Sequence, residues 1–158
     1  MDTESPPIGY ASLLLVDAAG RYLMQLRDDI PAILYPGCWG LFGGGIEPGE
    51  TPEVAMRREL EEEIGFVPTV APLFRVLRVP TRIDSGPVMI RRVAVFEGRI
   101  DAAQVPLLRQ GEGSARALWP PELLLLESNI AVSARLAVAL HSEPTLGQCT
   151  APMEQWPA

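Results

Sequence analysis

Blocks of apolar and polar positions along the chain predict strands on both sides of one central helix. Residues 8–16 are small and apolar, which indicates a buried strand, and residues 21–26 alternate as its partner. Residues 39–42 form a short apolar segment that ends in three consecutive glycines. Strand-like runs at 67–79 and 88–100 follow the helix. We therefore expect strands both before and after one central helix.

The helix signals are clearest at residues 51–64. Thr51 can cap a helix, Pro52 suits the first helical position, and Gly65 is a typical C-terminal stop. A second helix is expected to start near Trp119 and to continue to His141. Strands before and after one helix, with another helix late in the chain, predict an α+β fold with a mixed sheet flanked by helices.

Length and net charge limit the classes of protein to which this chain can belong. The 158 residues predict one domain, 1–158, with a polar lead-in at 1–7 and a proline-rich tail at 142–158. Thirteen basic against 20 acidic residues give a formal net charge of −7, which disfavours nucleic-acid polymers and anionic membrane surfaces as partners. The first eight residues contain no Lys or Arg, and no run of aliphatic residues is longer than five. A cytoplasmic protein is expected.

The cysteines and the single histidine exclude several kinds of site. Cys38 and Cys149 lie far apart in sequence, so they predict neither a disulfide framework nor a CxxC metal site. His141 is the only histidine, which disfavours a histidine-rich zinc site and a Ser-His-Asp triad. It follows an apolar run, so we interpret it as a structural residue at the end of the second helix.

Acidic residues of the central helix form the main candidate site. On a helical wheel, Glu59, Glu62 and Glu63 fall within an arc of about 100°. The apolar stripe beside that arc consists of Met56, Leu60 and Ile64. Like charges this close repel each other, and a hard divalent cation such as Mg²⁺ or Mn²⁺ would reverse that repulsion. A solvated acidic face with Arg57 and Arg58 as partners is the alternative.

The surrounding residues fit the pattern G-x5-E-x7-R-E-U-x-E-E-x-G-U, where U is a bulky apolar residue. Its defined positions here are Gly44, Glu50, Arg58, Glu59, Leu60, Glu62, Glu63, Gly65 and Phe66. This segment resembles the Nudix box of the Nudix (MutT-type) hydrolases, and every defined position is filled. The resemblance implies an α/β/α sandwich and Mg²⁺- or Mn²⁺-dependent cleavage of a phosphoanhydride bond. The implied substrate is a small molecule, a nucleoside diphosphate linked to another group X.

The resemblance also implies roles for single residues. Glu59, Glu62 and Glu63 would be metal ligands together with the backbone carbonyl of Gly43, and Glu50 would pair with Arg58 to hold the loop to the helix. Independently of the resemblance, cations clustered on phosphate oxygens neutralise charge and lower the pKa of bound water. The planar guanidinium of Arg58 suits bidentate pairing with a carboxylate.

Two positions depart from the family pattern. Phe42 stands where proline is common, and we interpret it as a core residue. Several members carry an acid before a glycine in a later loop, whereas this chain has Gln110, which cannot accept a proton as a carboxylate does. Glu112 is the candidate replacement, with Glu62 as the proton acceptor if the loop has none. The candidate catalytic residues are therefore Glu62, Arg58 and Glu112.

Substrate identity lies outside the motif. Candidate contacts with base, sugar or phosphate are Tyr35, Trp39, Arg75, Arg78, Arg82, Arg91 and Arg92. Arg91 and Arg92 are adjacent on a predicted strand, so at most one can face a given pocket. Nothing in the sequence identifies X.

Three further hypotheses are considered. A nucleotide-sensing module without catalysis is the main alternative, because Gln110 stands where other members carry a loop acid. Isomerisation of a prenyl diphosphate is disfavoured, since that chemistry uses a reactive cysteine and a histidine-rich metal site. A homodimer is an open option, because the leucine run at 123–126 suits either an interface or a buried helix face.

Overall fold

A computed structural model describes residues 6–82 and 85–142 of the chain. Most of the expected lead-in and tail, including Cys149, and part of the turn expected at 84–87 lie outside the described residues. The strands are β1 (Ile8–Val16), β2 (Tyr22–Leu26), β3 (Trp39–Gly40), β4 (Phe42–Gly45), β5 (Leu73–Thr81), β6 (Met89–Arg99) and β7 (Ala115–Trp119). The helices are α1 (Pro52–Glu63), α2 (Pro121–Leu124) and α3 (Val132–Ser142), and a 3₁₀ helix covers Ala102–Leu107.

The seven strands form one mixed sheet with β1 at its centre. The main strand order is β3-β2-β1-β6-β5, with β4 paired to β1 and β7 paired to β2. β1 and β6 are parallel, whereas the other pairs are antiparallel. α1 follows β4 in the chain and packs against both β4 and β1.

Alternating side chains of β1 serve two cores. Leu14 and Val16 belong to the apolar cluster that includes α3, whereas Leu13 and Leu15 belong to the cluster that includes α1. All four are essentially inaccessible to water. A helix therefore covers each face of the sheet, and the expected α/β/α sandwich with a mixed sheet is confirmed. Phe42 is buried in the α1 cluster, as expected for a core residue.

The boundaries of two predicted elements were wrong. The strand predicted at 67–79 begins only at Leu73, after an irregular segment. The single helix predicted from 119 to 141 is two helices, because the intervening segment runs alongside β3. There the Trp39 amide donates to the Asn129 carbonyl at 2.8 Å, and the Ala131 amide donates to the Trp39 carbonyl at 2.9 Å. These backbone hydrogen bonds satisfy groups that a continuous helix would have used internally.

His141 has a structural position in the last turn of α3. Its Nδ1 lies 2.7 Å from the Tyr22 hydroxyl and its Nε2 lies 2.9 Å from a carboxylate oxygen of Glu97. These contacts connect the end of α3 to two strands of the sheet. In the part of the chain that the structure describes, no helix is long and apolar enough to span a bilayer.

Substitutions on the two faces of α1 test which face is buried. Leu60 is fully buried between α1 and the sheet, so Leu60→Ala should lower the free energy of unfolding by about 2–5 kcal/mol. Val54 lies on the same helix with 52% of its surface exposed, and Val54→Ala should change that free energy by only about 0.5 kcal/mol. Urea denaturation measures both. Equal effects of the two substitutions would contradict the assigned face of α1.

Candidate active site

A cavity of about 380 Å³ lies between the sheet, α1 and the segment before β3. One part of its wall consists of the three glycines of β4 and the acids Glu59, Glu63 and Glu112. Another part consists of sheet side chains: Tyr10, Ser12, Val79, Thr81, Arg91 and Val93. The cavity is thus acidic at the helix and contains an arginine at the sheet, a division that can hold two chemically different parts of one ligand.

Two glycines of β4 allow close approaches to its neighbours β1 and α1. Gly43 is paired with Ser12 of β1. A Cβ on Gly43 would lie 2.2 Å from the Ala11 carbonyl oxygen, and its φ of 131° is in a region that side chains disfavour. A Cβ on Gly44 would lie 2.5 Å from the Glu59 carboxylate. A larger residue at position 43 would therefore separate β4 from β1, and one at position 44 would displace the Glu59 carboxylate.

Local sequence sets the ends and the rotation of α1. The Thr51 hydroxyl accepts a hydrogen bond from the Val54 amide at 3.3 Å, and the chain leaves the helix at Gly65 with φ 64°. The predicted stripe is buried against the sheet: Met56, Leu60 and Ile64. This rotation turns Glu59 and Glu63 toward the cavity.

Glu63 is a buried carboxylate, with 2% of its surface exposed. Gln25 donates to its Oε1 at 3.1 Å, and the Gly43 amide donates to its Oε2 at 2.9 Å. Burial raises the pKa of Glu63 from 4.5 to about 7, and the charges of Glu112 and Glu59 act in the same direction. The two hydrogen bonds oppose that rise. Glu63 is therefore held in one orientation in an environment that penalises its charge.

Arg58 connects the loop before α1 to the acidic face. Its Nε and Nη2 donate to the two carboxylate oxygens of Glu50 at 2.8 and 3.0 Å, and its Nη1 donates to Glu59 at 2.8 Å. Nη2 also donates to the Gly45 carbonyl at 3.1 Å. The hydrogen bonds from Arg58 lower the pKa of Glu50 to about 2, so this bidentate pair stays ionised at neutral pH.

The three helix carboxylates do not converge on one point. Glu59 is turned to Arg58, Glu63 is buried, and the side chain of Glu62 is 61% exposed with an oxygen 3.6 Å from Arg58. Among residues 6–82 and 85–142, no three acidic, histidine or cysteine side chains are grouped closely enough to hold a metal ion as they stand. Mutual repulsion separates like charges, and the neighbouring guanidinium attracts two of them.

A later loop brings Glu112 to the cavity. The Gly111 amide donates to the Glu63 carbonyl at 2.7 Å, so the loop lies on the C-terminal end of α1. A Cβ on Gly111 would lie 2.2 Å from the Glu62 carbonyl oxygen, and only glycine permits this approach. Gln110 turns into its own loop, where its amide donates to the Gly113 carbonyl at 2.9 Å. The acid that reaches the cavity wall from this loop is Glu112.

The donor set fits a hard divalent cation. Carboxylates and backbone carbonyls are the ligands that Mg²⁺ and Mn²⁺ prefer, and this wall of the cavity offers both. In the described part of the chain, the hydrogen-bond partners of the Glu63 carboxylate are an amide side chain and a backbone amide, neither of which is charged. A cation at this wall would offset the cost of burying Glu63. Rotation of Glu59 and Glu62 away from Arg58 would supply further oxygen ligands.

The structure separates the candidate substrate contacts. Tyr35 and Arg91 line the cavity, whereas the other candidates are absent from its described lining: Trp39, Arg75, Arg78, Arg82 and Arg92. Arg92 donates instead to the Pro6 carbonyl at 2.9 Å, so the adjacent arginines serve different surfaces, as alternation along a strand requires.

Three residues of the site were not predicted from the sequence: Gln25, which bonds Glu63, and Tyr10 and Arg27, which line the cavity. Gln25 is the polar residue in the otherwise apolar strand YLMQL, and this break in the pattern was the available signal. Tyr10 and Arg27 gave no comparable signal, because their role depends on distant strands and loops that meet at the cavity.

Comparison with known proteins agrees with this geometry. The model of the family described as "NUDIX domain" matches residues 7–139. The nucleoside triphosphatase NudI of Salmonella newport (strain SL254) is 32% identical over 129 residues, which cover 78% of this chain and 91% of that protein.

Solved structures share the fold. The MutT protein from Methanosarcina mazei Go1 matches with a TM-score of 0.69 and 19% identity, covering 92% of this chain and 99% of that chain. The NUDIX domain of Shewanella oneidensis NrtR, complexed with ADP ribose, matches with a TM-score of 0.68 and 18% identity. That match covers 91% of this chain and 93% of the other.

The raised pKa of Glu63 predicts a pH-dependent stability of the metal-free protein. Between pH 4.5 and about 7 the folded state keeps a proton that the unfolded state has lost, so stability falls as pH rises through this window. The total effect is at most roughly 3 kcal/mol. Urea denaturation in EDTA at several pH values should show this slope in the wild type and not in Glu63→Gln. Parallel curves for the two proteins would contradict it.

The close approach at Gly111 predicts a specific cost of a methyl group. Gly111→Ala should detach the loop from α1, lower the free energy of unfolding by about 1–3 kcal/mol, and speed hydrogen exchange of the amide at position 111. Gly9→Ala is the matched control, since nothing lies within 4 Å of its Cβ position. Slow hydrogen exchange at position 111 in the alanine variant would show that the loop stays attached to α1, which contradicts the prediction.

Proposed function

From the premise that this chain belongs to the Nudix family of hydrolases, we propose that it cleaves a phosphoanhydride bond in a nucleoside diphosphate derivative. The proposed reaction depends on a divalent cation. One observation carries the proposal. Carboxylates of α1, a loop acid and the glycine backbone of β4 line a single cavity whose sheet wall presents an arginine. With a divalent cation between them, a polyphosphate can bind at the first wall, and the second wall leaves room for a nucleoside.

The residues that would hold Mg²⁺ or Mn²⁺ are Glu59, Glu62, Glu63 and the Gly43 carbonyl. When bound, such a cation neutralises charge on the phosphate oxygens and makes water more acidic. Glu63 is the fixed member of this set, because Gln25 and the Gly43 amide orient it. Glu59 and Glu62 are adjustable members that share the guanidinium of Arg58.

The proton from the attacking water needs an acceptor at the cavity. Glu112 is the first candidate, since it lines the cavity and its loop is fixed to α1 through the Gly111 amide. Glu62 is the second: it is absent from the described lining of the cavity, and its exposed side chain would have to turn from Arg58 toward the cavity. Arg58 contributes by positioning Glu50 and Glu59, and it holds the loop before α1 in place through the Gly45 carbonyl.

Similar proteins support nucleotides as the substrate class. NudI is named a nucleoside triphosphatase, and the NrtR domain is seen with ADP ribose. Both ligand types are nucleoside diphosphates joined to a further group. The sensing alternative was motivated by Gln110, and it is weakened because Glu112 of the same loop borders the cavity.

Substrate screening tests this proposal directly. Nucleoside triphosphates, nucleotide sugars and dinucleotides are incubated with Mg²⁺ or Mn²⁺, and products are identified by mass. We expect two phosphorylated products from at least one compound, and complete loss of turnover in EDTA. Glu62→Gln and Glu112→Gln should each lower kcat, by roughly 100-fold or more for the residue that accepts the proton.

Glu61→Gln is the matched control, because Glu61 lies on the same helix, is exposed, and is not part of the cavity wall. It should keep wild-type kcat within about twofold. Turnover that is unaffected by EDTA would refute cation dependence, and no turnover of any compound would refute the hydrolytic proposal for nucleotides.

A further inference from the structure

Arg91 is the cationic group that the sheet contributes to the cavity. It lies in β6, and its neighbours on the cavity wall include the apolar side chains Val79 and Val93. An arginine beside an apolar surface suits a ligand that is flat and carries polar atoms at its edge.

Tyr10 holds the guanidinium of Arg91. Nη1 of Arg91 donates to the Tyr10 hydroxyl at 2.6 Å, and the guanidinium carbon lies 4.8 Å from the centre of the Tyr10 ring. Tyr10 is itself fixed in β1, opposite Gly45 of β4 and Val93 of β6. The arginine is therefore positioned before any ligand enters.

One edge of this guanidinium is left for a ligand. Within residues 6–82 and 85–142, the Tyr10 hydroxyl is the hydrogen-bond partner of Arg91, and the Nε and Nη2 groups have none. In Arg58 the same Nε–Nη2 edge donates hydrogen bonds to both carboxylate oxygens of Glu50. This edge has two parallel donors, so it fits two adjacent acceptor atoms.

We propose that Arg91 determines base specificity by donating from its Nε–Nη2 edge to two adjacent acceptors of a nucleobase. Guanine presents such a pair at O6 and N7, and cytosine presents one at N3 and O2. Adenine and uracil present no two adjacent acceptors, because a donor stands beside or between them. This inference rests on the proposed function, since it assigns the nucleoside part of that substrate.

The test compares kcat/KM for GTP, CTP, ATP and UTP. We expect the wild type to prefer GTP or CTP. Arg91→Lys and Arg91→Met should both lower kcat/KM for the preferred nucleotide roughly tenfold or more, and change the values for ATP and UTP by less than about twofold. Arg92→Met is the matched control, since the adjacent Arg92 bonds the Pro6 carbonyl elsewhere, and it should leave the preference unchanged.

Two further measurements separate base recognition from phosphate binding. The inhibition constant of inorganic tripolyphosphate should be unchanged in both Arg91 variants, because this probe has no base. A deaza analogue of the preferred nucleotide, 7-deaza-GTP or 3-deaza-CTP, removes one acceptor and should lose roughly tenfold in kcat/KM with the wild type. The analogue needs no variant, so its result does not depend on how substitutions affect folding.

Several results would overturn the proposal. Full rescue by lysine would mean that charge alone matters, and a parallel rise in the tripolyphosphate constant would assign Arg91 to phosphate. If the wild type hydrolyses none of the four triphosphates but does hydrolyse another compound of the substrate panel, the proposed function stands and the base preference is compared by binding. Binding of GMP, CMP, AMP and UMP, followed by NMR in EDTA, then tests Arg91 alone. The inference stands if Arg91→Lys weakens GMP or CMP binding and falls if it does not.

Discussion

The close contact between β4 and α1 is the constraint on which the rest of the site depends. Gly44 leaves no side chain between β4 and the Glu59 carboxylate of α1, and Gly43 lets β4 lie close to the backbone of β1. In this arrangement the Gly43 amide donates to Glu63. A helix at an ordinary distance from a sheet would be separated from it by a layer of side chains. Here the backbone oxygens of a strand and the carboxylates of a helix line the same cavity.

This contact has an electrostatic cost, which the molecule distributes over several groups. Arg58 pairs with Glu50 and Glu59, and the raised pKa of Glu63 lets that buried group be neutral over part of the physiological range. Glu62 stays in solvent. The protein can fold with these acids in place in the absence of a cation, and a bound cation would further stabilise the acidic wall. A polyphosphate brought with such a cation would then lie at the acidic wall, with the nucleoside part of the ligand toward Arg91.

The sequence was most informative where local rules decide the structure. Thr51 and Gly65 mark the ends of α1, and its period of 3.6 residues distinguishes the buried stripe from the acidic arc. Those rules do not reveal which long-range partner an acid will find. On the wheel Glu63 belongs with Glu59 and Glu62, yet it is buried because the distant Gln25 accommodates it.

Other features escaped prediction for the same reason. The break in the second helix depends on backbone pairing between Trp39 and residues 129–131, which no local propensity records. The position of Glu112 depends on the contact of Gly111 with α1, and a glycine in a polar loop gives no sign of such a contact. The separate roles of Arg91 and Arg92 followed from strand alternation, but which of them faces the cavity required the sheet.

Calorimetric titration of the nucleotide-free protein with Mg²⁺ and Mn²⁺ shows whether the acidic wall of the cavity binds a divalent cation. We expect saturable binding to the wild type, strong weakening in Glu63→Gln and Glu59→Gln, and unchanged binding in Glu61→Gln. Absence of binding of either ion to the folded wild type, or equal binding by all four proteins, would contradict this expectation.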